Sequence, residues 1–180
     1  AITAAVASLV AALVVTALSP ATALASHNQV AILEEDQGLF NGDPAATLLE
    51  LRHLGVTMVR LPVRWSWIAP NADSFTKPNF DATNPNDYPA GAWSALDTIV
   101  LDAEADGIQV MMNPAAFAPL WAQGPGAARL GGKYTTTWAW EPSAPEFGQF
   151  VHAVAERYSG SFTPPGSSTP LPHVGVWELY

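Results

Sequence analysis

The stretch Gly55-Val-Thr-Met-Val-Arg60-Leu-Pro-Val-Arg-Trp65 decides the fold class. Before it, Asp43-Pro44 supplies a helix N-cap and a proline at the first helical position. Leu48, Leu51 and Leu54 then keep helical spacing until Gly55 stops the helix. Val56 to Val63 is apolar and β-branched, the composition of a buried strand. One glycine therefore separates a helix from a strand. The same unit recurs downstream: Trp93, Leu96, Ile99, Val100 and Ala103 are helically spaced, Gly107 ends the helix, and Ile108 to Met112 forms a strand closed by Asn113-Pro114. Phe147, Phe150, Val151, Val154 and Tyr158 mark a third amphipathic helix. A linker from Thr163 to Pro172 leads to a last apolar run, Val174 to Tyr180. At the other end, Gln29 to Leu33 reads as a first short strand.

The order is β-α-β-α-β-α-β, and continuously apolar strands alternating with helices mean a parallel sheet covered by helices. A doubly wound open sheet and a (β/α)8 barrel both fit. Neither a G-x-G-x-x-G nor a Walker loop follows the first strand, so nothing supports a nucleotide-binding sheet. Long segments (Pro70 to Pro89, and Pro114 to about Ser143) follow strands, on the side where parallel α/β folds place their sites. The helix-to-strand turns at Gly55 and Gly107 are short, though the Thr163–Pro172 linker departs from that pattern. The expected class is α/β, a (β/α)8 barrel truncated to about its first four strands and three helices. A whole barrel takes roughly 250 residues, so residues 26–180 are expected to be its N-terminal half, with an unpaired edge strand that invites aggregation.

Of the 180 residues 49% are hydrophobic and 13% charged, with a net charge of −9, which argues against nucleic acid or an anionic membrane as partner. The absence of cysteine excludes disulfides and thiolate chemistry. Ala5 to Leu18 is an apolar run followed by Ser19-Pro20 and the small-x-small site Ala23-Leu24-Ala25. It is shorter than the ~20 residues of a spanning helix and reads as a signal peptide over residues 1–25, cleaved near Ser26. The expectation is a secreted protein with no stable membrane insertion afterwards.

Chemistry in such a barrel sits at the strand ends. Arg60, inside an apolar strand, requires a carboxylate partner, either a catalytic one or that of a structural ion pair. Trp65 and Trp67 leave the same strand; they either stack on sugar rings or fill space. Asn113 ends the third strand, where it either donates to a sugar hydroxyl or closes an Asx turn. Trp121, Trp138 and Trp140 make the following loop aromatic, as binding surfaces are. Glu34, Glu35 and Asp36 end the first strand; such a triplet is either solvated or contacts a ligand through at least one member, with Glu35 the candidate. Glu178 lies early in the fourth strand and is expected as a buried structural charge paired with a barrel arginine. His27, His53, His152 and His173 lack metal-ligand spacing, and no metal or cofactor is expected. No G-x-S-x-G elbow provides an esterase nucleophile.

Gly55 to Trp65, followed by Ile68-Ala69-Pro70, resembles the second-strand signature of the clan of retaining (β/α)8 glycoside hydrolases that includes cellulase-like family 5 and family 39. Ala105-Asp-Gly-Ile-Gln-Val-Met with Pro119-Leu-Trp121-Ala resembles the third unit of that clan. Phe147 to Tyr158 and Val176-Trp-Glu-Leu-Tyr180 resemble the helix before strand four and strand four itself. The resemblance implies that Arg60 contacts the nucleophile carboxylate and that Trp65 and Trp121 line sugar subsites. In the clan, strand four continues into Asn-Glu-Pro, whose glutamate is the acid/base. That residue and the strand-seven nucleophile lie beyond Tyr180, so this chain alone is expected to be inactive.

The reading is an exported hydrolase that cleaves β-glycosidic bonds of a polysaccharide or oligosaccharide with retention, monomeric at full length. A non-catalytic carbohydrate-binding or cell-surface protein on a decayed barrel is the alternative. A lyase or aldolase would need a strand-end lysine, or a cation held by Glu34 to Asp36.

Overall fold

A computed structural model describes residues 29–115, 117–127 and 139–178. The expected signal segment, Trp138 and the last two residues of the expected fourth strand lie outside these. Four strands form one parallel sheet in the sequential order β1 (Ile32–Leu33), β2 (Met58–Arg64), β3 (Gln109–Ala115) and β4 (Val176–Trp177). A doubly wound sheet reverses its strand order at a switch point. These four strands never reverse, which is the connectivity of a barrel arc.

Helices fill each crossover. The first carries α1 (Asp36–Asn41) and α2 (Pro44–His53). Asp43 caps α2, its Oδ1 accepting from the Ala46 N–H at 3.1 Å. The second crossover carries a single turn, α3 (Trp65–Ile68), a 3-10 turn at Pro85–Asp87, and α4 (Ser94–Asp106). Gly107 ends α4 at φ 67°, a left-handed conformation that favours glycine. The third holds a 3-10 turn at Leu120–Ala122 and α5 (Ala144–Arg157), capped by Ser143. No helix among the described residues is long and apolar enough to cross a membrane.

The sequence reading missed α1 and made β1 too long. The acidic triplet begins a helix because the Glu35 carboxylate caps it, accepting from the Gly38 N–H at 2.6 Å. Gly38 is needed there: a Cβ would lie 2.5 Å from Thr47 Oγ1 and 2.6 Å from Glu35 Oε2. Nor does Asn113-Pro114 close β3, which runs on to Ala115.

Prolines inside both central strands look contrary to sheet physics. The Met58 N–H donates to the Ala31 carbonyl at 3.1 Å, so by alternation Pro62 turns its nitrogen toward β1. The registered residues of β1 already end at Leu33, opposite Val59. Likewise the Met112 carbonyl accepts from the Glu178 N–H at 3.0 Å, so Pro114 faces the β4 side, past the last registered pair. Both prolines leave the β2–β3 ladder whole.

Strand alternation divides the sheet. Val59, Leu61, Val63 and Met112 pack outward, in one core with Leu48, Leu51, Leu96, Ile99, Val100, Phe150 and Val154 from the helices. The inner face carries Arg60 and Arg64 of β2 and Met111 and Asn113 of β3, and is partly open.

Candidate active-site layer

β2 and β3 each contribute one residue to a polar layer on the inner face, and the residues directly after β1 and β4 complete it. Leu33 pairs with Val59, so Glu34 comes level with Arg60; Pro62 pairs with Asn113; Met112 pairs with Trp177, so Glu178 comes level with Asn113. Arg60 joins them. Its Nε donates to Glu178 Oε2 at 2.5 Å, Nη1 to Glu34 Oε2, and Nη2 to Asn113 Oδ1 at 2.9 Å. The Asn113 Nδ2 donates in turn to the Glu178 carbonyl at 3.2 Å. Hydrogen bonding to Glu178 raises the Arg60 pKa; desolvation opposes this, and Glu34 adds to it. The guanidinium is thus a fixed cation aimed along the inner face.

A second polar pair stands toward the C-terminal end of the strands. Arg64 Nη2 donates to Asp36 Oδ2 at 2.6 Å, and the guanidinium lies 4.4 Å from the Trp67 ring centroid and 5.9 Å from that of Phe117.

Several expected site residues sit elsewhere. Trp65 is 1% exposed, stacked on Phe150 at 5.7 Å and edge-on to Trp121 at 5.6 Å. It begins α3 pointing into the helical layer, so it fills the core and cannot stack on a sugar. Trp121 is half-buried behind it, its Nε1 donating to the Pro70 carbonyl at 2.9 Å. Asn113 is 1% exposed, and its amide is engaged by Arg60 and Glu178 rather than free for a hydroxyl. Glu35 Oε2 is engaged in capping α1. Glu178 does bond the strand-two arginine, but it is not buried: 41% of its side chain is exposed, because no described element covers that part of the inner face.

Glu34, Asp36, Arg64, Trp67 and Phe117 stand where the sequence reading had weighted others. Parity was the available signal for the acids. Glu34 and Asp36 are two apart, as are alternate residues on one side of an extended chain, while Glu35 points away. No cluster of three His, Cys, Asp or Glu side chains suited to a metal occurs among the described residues.

No family model matches the sequence. No curated protein matches it either. Among solved structures, Fpglu1 from Fervidobacterium pennivoraus superposes with a TM-score of 0.51 at 21% identity, over 76% of this chain and 28% of its own. A glycoside hydrolase family 5 mannosidase from Rhizomucor miehei aligns with TM-scores of 0.35, in complex with mannosyl-fructose, and 0.32. Identities are 19% and 20%, covering 73% and 72% of this chain and 33% and 32% of the mannosidase. The chain therefore spans about a third or less of each. At such identity the Fpglu1 likeness establishes a shared α/β fold.

Proposed function

We propose that this chain is the N-terminal half of an exported retaining glycoside hydrolase acting on β-linked glycans through a glycosyl-enzyme intermediate. The single observation that carries the reading is the Arg60 layer: one cation of β2 on the inner face, bonded to Asn113 of β3 and to the residues that follow β1 and β4.

Retaining hydrolysis needs a nucleophilic carboxylate held about 5 Å from an acid/base carboxyl. A guanidinium has five N–H groups, and the three bonds of Arg60 to Glu34, Asn113 and Glu178 use one on each nitrogen. One N–H on each Nη remains to orient a further carboxylate, the role the family resemblance gives this arginine. Glu34 and Glu178 act as acceptors of Arg60, an arrangement that positions the guanidinium. The acid/base and nucleophile would come from strands beyond Tyr180, and the isolated chain would hydrolyse no glycan.

The test is to read the coding sequence past the Tyr180 codon and assay its full product on β-1,4-linked oligosaccharides, following product anomers by proton NMR. Asn-Glu-Pro immediately downstream, a strand-seven glutamate and initial release of the β-anomer are expected. A frame without those glutamates removes the hydrolase reading in favour of a carbohydrate-binding protein, and initial release of the α-anomer removes retention.

A further inference from the structure

The aromatic side chains most open to solvent include Trp67, 54% exposed, and Phe117, 41% exposed. They meet at one cation, the Arg64 guanidinium. The arrangement is held in place twice. The Ser66 N–H of α3 donates to the Phe117 carbonyl at 2.8 Å, tying the two aromatic segments together. Asp36 fixes Arg64 from the first crossover. An exposed tryptophan is usually a solvation liability; here a paired arginine lies over the Trp67 ring beside a second aromatic, and more than half of the tryptophan stays open as an apolar surface with N–H donors next to it. That combination suits a pyranose, whose axial C–H face seeks an aromatic ring while its hydroxyls seek hydrogen bonds.

Resting on the hydrolase reading above, we propose that Trp67, Phe117 and Arg64 form a glycan-binding platform remote from the bond that is cleaved. Arg64 lies four residues beyond Arg60 on the same strand, about 13 Å at ~3.3 Å per residue, and on the same face by alternation. The platform therefore meets a sugar well along the chain from the Arg60 layer. Asp36 compensates the charge of Arg64, and the protein carries a net charge of −9. The ligand is accordingly a neutral glycan, since a polyuronate would be repelled.

The full 180-residue chain is titrated with cello-, manno- and xylohexaose and with hexagalacturonate, read by calorimetry and tryptophan fluorescence. At least one neutral hexaose binds, Trp67→Ala weakens it at least tenfold and Phe117→Ala several-fold, while Phe75→Ala, an exposed aromatic elsewhere, leaves affinity unchanged. Circular dichroism confirms that each variant folds. Retention of full affinity by both Trp67→Ala and Phe117→Ala overturns the platform, as does binding of hexagalacturonate alone or of no hexaose. Those failures leave the hydrolase reading standing on the downstream glutamates, whose absence would be seen separately.

Discussion

Among the described residues Arg60, Arg64 and Arg157 are bound by carboxylates, and the surroundings of Arg157 and Arg60 are opposite. Arg157, on α5, is enclosed in the outer layer with a side chain 6% exposed; Nε donates to Asp97 Oδ1 at 2.8 Å and Nη2 to Asp97 Oδ2, a bidentate fork. The Tyr158 hydroxyl donates to the same carboxylate at 3.0 Å, and the rings of Trp93 and Phe162 lie 5.2 and 5.1 Å from the guanidinium. Arg60 sits on the inner face, 24% exposed, with partners Glu34 and Glu178 that are about 40% exposed. The first network joins α4 to α5 and is a structural clamp. The second is open on one side. Both are arginines with acidic partners; exposure separates them.

The contrast is broken most directly by Asp97→Ala. It strands a buried guanidinium and should cost about 3–5 kcal/mol in urea unfolding. A loss below about 1 kcal/mol would mean that the outer network is no clamp.

Tyr158 sharpens it next. Burial, then the nearby Asp97 charge, raises its phenol pKa well above the ordinary tyrosine range. A folded pKa above the unfolded value of about 10 contributes stability that is complete below pH ~10 and is lost as pH rises toward the folded pKa. Tyr88, also raised first by burial, acts in the same direction. Unfolding midpoints measured between pH 9 and 11 should fall in the native chain and fall less in Tyr158→Phe, which at neutral pH loses only a hydrogen bond worth about 1 kcal/mol. Equal slopes for the two would remove Tyr158 from the effect.

Arg60→Met is the smallest expected effect on stability. Its acidic partners face water and only the buried Asn113 Oδ1 loses a donor, so the change should be about 1 kcal/mol. A loss as large as that of Asp97→Ala would assign Arg60 to the scaffold and weaken its reading as a site residue.

Much of this was legible in the chain. The helix-Gly-strand units at Gly55 and Gly107 repeat because a parallel strand is apolar on both faces and its crossover helix must stop abruptly. Arg60 stood out because an arginine in an apolar strand demands a carboxylate, and Glu178 was assigned to a barrel arginine from its early position in strand four. Trp65 was misread because periodicity says that a tryptophan leaves a strand but not which way it turns; a one-residue step into α3 sends it into the core and leaves Trp67 outside. Glu35 was preferred to its neighbours because nothing local shows that its carboxylate will satisfy the Gly38 N–H.

The sequence by itself determined the alternation of strands and helices, the parallel class and the presence of a charged residue needing a partner, since these follow from local periodicity and the cost of burying charge. Only the tertiary structure decided which acids reach Arg60, that Asn113 is consumed by the layer, and that Arg64, Trp67 and Phe117 meet. Those contacts join residues far apart in the chain, and strand register, which brings them level, is set by the packing of the whole sheet.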